Sequence, residues 1–179
     1  MSRFTVLCCL LLAASLAGCA HDKAVPPKGV PAAVTVSDTQ VLTRMLHGSG
    51  VQIYQCLADP QNPKRFAWAF QSPAADLSDR SGKDVGRHYA GPTFEGNDGS
   101  KVVAEMVAKD PGPTAGAIPW LLLKAKSNSG KGIFAKTQTI QRLHTIGGQP
   151  PDTGCDAKSA GQRTRVAYSA DYYFYNARR

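Results

Sequence analysis

The chain has 179 residues, enough for one domain with a sizeable core, and nothing in it marks a second. Twenty-one Lys and Arg against 13 Asp and Glu give a formal net charge of +8, a balance that favours anionic partners. Nucleic acid is a poor fit among these, because no recognition motif is present and the leader described next carries the chain away from the usual targets.

The N-terminus, "MSRFTVLCCLLLAASLAGCAHDK", sets one basic residue, Arg3, before an apolar run from Phe4 to Ala17. That run is too short to span a bilayer comfortably and suits a signal-peptide core. It ends in Leu16-Ala17-Gly18-Cys19, which resembles the lipobox of bacterial lipoproteins, where small residues admit a peptidase that cuts before a lipid-bearing cysteine. The expectation is a signal peptide over 1–18 and a lipidated Cys19 that holds the protein on a membrane without crossing it. Ala20, where Asp would retain the protein, resembles the default for outer-membrane sorting. The expected location is therefore exported and anchored to the outer membrane, facing the periplasm or the cell surface. An ordinary secretory signal with Cys19 incidental is the alternative.

Residues 19–33 hold three prolines and little apolar character, so they read as an extended tether, with the folded domain over 34–179. Of five cysteines, Cys8 and Cys9 leave with the signal and Cys19 is taken by lipid. Cys56 and Cys155 remain, and outside the cytoplasm two cysteines point to one disulfide. It closes a loop of roughly 100 residues, for which loop-closure entropy gives at most about 4.7 kcal/mol.

"DTQVLTRMLHGSG" reads equally as a helix with Val41, Leu42, Met45 and Leu46 on one face or as a strand leading onward. Ser49, within Gly-Ser-Gly, lacks a nucleophile-elbow frame and reads as a turn serine. "VQIYQC" alternates, with Val51 and Ile53 opposite Tyr54 and Cys56, and "RFAWAF" places Phe66, Trp68 and Phe70 on one side expected to be buried. Asp98-Gly99 predicts a hairpin turn into "KVVAEMVAK". "IPWLLLKA" predicts a strand with Pro119 at its start. Gly132–Thr145 predicts a long β-branched strand whose phase slips between Ile140 and Leu143, as at a bulge. In "RVAYSADYYFY", Val166, Tyr168, Ala170, Tyr172 and Phe174 share one face, and Ser169, Asp171, Tyr173 and Tyr175 the other. About eight strands and no firm helix pattern predict an all-β domain, an antiparallel barrel or sandwich.

"GVQIYQC", the Trp68 strand, "HYAGPTFEGNDGS", "IPWLLL", "IQRLHTIGGQPPDTGC" and "YSADYYFY", in this order, together resemble the secreted family named domain of unknown function 3455 (DUF3455), of bacteria and fungi. The likeness covers nearly the whole mature domain, departing at Phe94, where the family usually has Trp. It implies export and a mostly β domain and brings no established activity. Some relatives carry a malate dehydrogenase label, which this chain does not support: no G-x-G-x-x-G follows a strand and no βαβ alternation exists.

His88, Glu95 and Asp98 are the candidate catalytic residues of a small hydrolase, if the imidazole meets a carboxylate. Their spacing argues against it, since an odd separation puts His88 and Glu95 on opposite faces of an extended strand. The local alternative is a turn at Asp98-Gly99-Ser100, a bend at Gly91-Pro92 and a His88 bonded nearby. His21, His47, His88 and His144 are scattered without paired-ligand spacing, so no metal and no cofactor are implied. Arg142 is a candidate for holding an anionic group, and Tyr173 and Tyr175 are candidate exposed ligand contacts. Residues 19–100 carry eight basic and eight acidic side chains, and 101–179 twelve basic and five acidic. This asymmetry points to a non-catalytic envelope module for an anionic or carbohydrate ligand, such as anionic lipid or a wall polymer. A lysozyme-inhibitor-like role is a further alternative, opposed by the basic charge of the domain.

Overall fold

Alternation along each apolar run becomes a strand, and each cluster of Gly, Pro, Asn and Asp becomes a connection. The computed structural model describes residues 24–178. The predicted signal peptide, its lipobox and Cys19 lie outside these residues, with the start of the tether. Eight strands follow in order: β1 (Gln40–Asp59), β2 (Asn62–Ser78), β3 (Asp84–Tyr89), β4 (Thr93–Gly96), β5 (Lys101–Asp110), β6 (Trp120–Ser129), β7 (Thr139–Gly147) and β8 (Arg163–Ala177). Each pairs antiparallel with its neighbours in sequence, and β8 returns to β1, so the sheet is a closed barrel and not a sandwich. Closure removes the exposed edges that an open sheet of this size would present.

The ambiguous stretch before Val51 is strand, part of the twenty-residue β1. Ser49 is therefore mid-strand, not in a turn, and its flanking glycines serve packing: a Cβ on Gly48 would lie 2.6 Å from the Tyr172 ring. The barrel interior is filled by Leu46, Leu77, Phe94, Val102, Ile140, Tyr172 and Phe174, among others. Phe94, Tyr172 and Phe174 pack edge to face, with centroids 5.1 and 5.3 Å from Phe94. This is the inward face of β8 that alternation predicted, except that Val166 is only half-buried.

Three further expectations are corrected. Phe66, Trp68 and Phe70 do not form a buried face, and Phe70 is 53% exposed. The reason is that β3 pairs with β2 only over Ala75–Ser78, so the first half of β2 runs past the barrel wall with β1 alone. Residues 132–138 are not strand but a loop that turns Phe134, fully buried, into the lower end of the barrel. The irregularity in β7 lies one step later than expected, between Leu143 and Ile146, at His144 with φ +50°.

A second cluster sits outside the barrel. Trp120, Leu143, Tyr173 and Tyr175 project from β6, β7 and β8 and are covered by Val34 of a short 3-10 turn, Ala32–Val34, with Val30 packed alongside. Gln141 Nε2 donates to Val34 O (2.6 Å), and Tyr175 Oη donates to Gln141 Oε1 (2.6 Å), which ties the N-terminal segment to the wall.

Candidate functional site

His88 lies on β3 with its ring inside the barrel, stacked on Phe94 at 4.0 Å, and its Nδ1 donates to Thr93 O at 2.9 Å. Burial disfavours the charged imidazole and lowers its pKa to about 3. Gly91, at φ +112°, lets the chain reverse between β3 and β4, and the resulting register sets His88 opposite Phe94 and Arg87 opposite Glu95. Glu95 is thus on the outer surface, where it accepts from Tyr89 Oη (2.7 Å) and lies near Lys101 Nζ (3.5 Å) and Arg87 Nη2 (3.6 Å). The Tyr89 hydrogen bond, then these cations, hold its carboxyl below the usual range.

Asp98 is at the lower rim and accepts from Ser100 N, Ser100 Oγ and Ile133 N. These bonds, Ser100 first, lower its pKa and latch the β4–β5 turn to the loop that carries Phe134. The three candidates are not brought together. One is in the core, one is on the outer face and one is in a turn, so none orients another and the proposed hydrolase loses its geometry.

Tyr173 and Tyr175 are 6% and 7% exposed, contrary to their expected role as surface contacts. Alternation placed them correctly on the outward face, but the N-terminal segment covers that face. The aromatics of "DYYFY" are therefore structural on both sides of the sheet.

Arg142 points inward near the upper end, between Ile140 and the His144 irregularity. It is 8% exposed, and its Nε and Nη2 donate to Pro119 O at 3.2 and 2.8 Å. It stands opposite Tyr172 in register, and its charge is felt by Tyr54, His88, Tyr168 and Tyr172. Burial raises the three phenols, whereas Arg142 pulls them down. Tyr168 and Tyr172 share a hydroxyl contact of 3.1 Å. Gln52 lies beside Tyr168, yet its buried Nε2 makes no hydrogen bond of acceptable geometry, and Thr145 Oγ1 is likewise buried without a partner. Among the described residues no carboxylate forms an ion pair with Arg142.

The loop after β7 covers this end. It is pinned by the Cys56–Cys155 disulfide, by Trp68 Nε1 donating to Thr153 O (2.9 Å) and by Tyr54 Oη donating to Gly148 O (2.7 Å). Most of its residues from 150 to 162 are exposed, so it has little apolar burial of its own.

Sequence reasoning missed one constellation. His47 of β1 and His144 of β7 flank Asp171 of β8 on the outer surface, each Nδ1 3.0 Å from a different carboxylate oxygen. A carboxylate only accepts, so each imidazole donates through Nδ1. Strict alternation would have pointed His144 inward after Ile140 and Arg142. The irregular backbone at φ +50° turns it out, as bulges do when they re-aim a side chain. Only the odd spacing of Leu143 and Ile146 hinted at this. No group of three or more His, Cys, Asp or Glu among the described residues is placed to hold a metal ion.

A closed eight-stranded meander with a packed interior, polar groups gathered beneath one capped mouth, defines an all-β barrel protein. The chain belongs to the protein family of unknown function DUF3455, whose profile matches residues 37–176. No curated protein and no solved structure matches it.

Proposed function

We propose that the protein is a non-catalytic binding module of the cell envelope that takes an anionic group at the Arg142 end of its barrel. The buried guanidinium carries this reading, because it is 8% exposed and has no carboxylate partner among the described residues. A cation held out of water without a counter-charge costs several kcal/mol, and a ligand bringing negative charge offsets that cost on binding. Gln52 Nε2 and the neighbouring hydroxyls add donors, which suits a phosphate or carboxylate. The basic excess of the second half steers anions toward the domain. Lipidated at Cys19, the protein stays on a membrane whose lipids and wall polymers present such groups.

Thermal unfolding in inorganic phosphate and co-sedimentation with phosphatidylglycerol vesicles at low salt separate a free anion from a lipid headgroup. Wild type gains about 2.7 kcal/mol at 100 times Kd if phosphate binds, and Arg142→Gln gains nothing. An unchanged unfolding curve in phosphate together with no sedimentation rejects the anion reading. Fractionation tests the anchor: Cys19→Ser moves to the soluble fraction, and its recovery wholly with membranes refutes lipidation.

A further inference from the structure

Outside the barrel at its lower end, the polar groups are of the opposite kind. Three clefts of about 630, 650 and 740 Å³ lie between the segment after the 3-10 turn, the foot of β1 and the loop leading into β7. The first and third meet at Asn128, Thr137 and Gln138, and the first and second share Ser37 and Gln40, so they run as one groove. Its walls mix amides and hydroxyls with apolar side chains, among them Val36, Val41, Val107 and Leu122. Val107 is 52% exposed. Among the described residues no carboxylate lines the first and third clefts, whose walls include Lys124 and Lys136, and Asp38 and Arg178 line the second.

Three side-chain atoms along this groove are buried without a hydrogen-bond partner among the described residues: Gln40 Oε1, Thr137 Oγ1 and Asn176 Oδ1. Thr137, 1% exposed, lines two of the clefts. Such groups destabilise the fold unless something donates to them. Two are carbonyl acceptors and the third is a hydroxyl, so the complementary ligand must bring donors. An anion brings only acceptors and leaves the Gln40 and Asn176 carbonyls unpaired. A hydroxyl-rich ring brings donors along its edge and an apolar C–H face for Val107 and Leu122.

We infer that this groove binds an uncharged saccharide chain. Sugar hydroxyls donate to the Gln40 and Asn176 carbonyls after a small rotation of each amide, and the Thr137 hydroxyl exchanges hydrogen bonds with a third. The run of three clefts suits several linked rings rather than a single one. The groove lies outside the barrel wall, where Gln141 lines it, whereas the neighbouring Arg142 points inward, and the groove works without it.

Calorimetric titration of the purified protein with tri-N-acetylglucosamine and with maltotriose tests this. At least one is bound, binding weakens about fivefold or more in Thr137→Val and in Gln40→Leu, and it persists in Arg142→Gln. Because Val keeps the shape of Thr137 and removes a partnerless hydroxyl, Thr137→Val unfolds at the same temperature as wild type or higher. The inference is overturned if neither oligosaccharide binds at about 10 mM, ten times the concentration that half-fills a millimolar site. It is equally overturned if neither substitution weakens binding, or if Thr137→Val unfolds at a lower temperature, which would show the hydroxyl already partnered. Loss of the phosphate response in Arg142→Gln with saccharide binding intact distinguishes failure at one end from failure at the other.

Discussion

At the lower end of the barrel Phe134 fills the opening as a fully buried ring, 4.8 Å from Phe174, and the loop that carries it is latched by Asp98 and Ser100. Asn128 completes the latch by donating to Phe134 O and Thr137 O. At the upper end the covering loop contributes little apolar surface and is held by a covalent bridge and a few hydrogen bonds, above a cation and phenols. One end is closed by burial, which is cooperative with the core. The other is closed by attachment, a loop pinned by a bridge and a few hydrogen bonds over polar groups. A lid of the second kind is compatible with a ligand that enters and leaves, and this is why the anionic reading centres there.

The sharpest way to break this contrast is at Phe134. Phe134→Ala is expected to cost about 3–5 kcal/mol in urea unfolding, the usual range for a buried aromatic truncation. A loss under about 1 kcal/mol would mean that the lower plug is not part of the core. Next comes the bridge. Cys56→Ser with Cys155→Ser should lose about 2–4 kcal/mol, and it should weaken the phosphate response while leaving Phe134 packing, read by near-UV dichroism, unchanged. Two free thiols in freshly purified protein would contradict the bridge outright.

His88 sharpens the comparison by pH. Its folded pKa lies at about 3, below the unfolded value near 6.5, so the unfolded chain binds the proton more readily. Its neutral form therefore contributes stability that is fully present above about pH 6.5 and is lost as pH falls toward 3. The loss is about 2 kcal/mol by pH 5. His88→Phe should flatten that part of the pH–stability curve, and an unaltered slope would place the titration elsewhere. The smallest effect is at the latch. Asp98→Asn weakens charge-assisted bonds to Ser100 and Ile133 and should cost about 1–2 kcal/mol in thermal unfolding, with the anion response at the far end intact.

Much of the fold was legible because alternation is local. Tyr168, Ala170, Tyr172 and Phe174 point inward together for the same reason that their spacing is two. The odd interval between His88 and Glu95 already opposed a dyad, and the register confirms that they face apart. Less was legible at the candidate sites. Nothing near Tyr173 and Tyr175 announces that residues 30–34 will lie over them. His47, Asp171 and His144 come from β1, β8 and β7, so their meeting depends on the sheet closing on itself. His144 also needed a backbone irregularity that reverses its expected face.

By itself the amino-acid order determined the leader and its cysteine as expectations, the succession of strands, the two cysteines left to pair and membership of the family. These follow from composition, short periodicity and motif order, all of which are properties of neighbouring residues. Only the tertiary structure decided which face of each strand is enclosed, that Phe134 closes one end, that Arg142 is enclosed without a carboxylate partner among the described residues and that unpaired acceptors line the lower groove. Those facts depend on contacts between segments far apart in the chain, because a barrel acquires an inside only when its first strand meets its last.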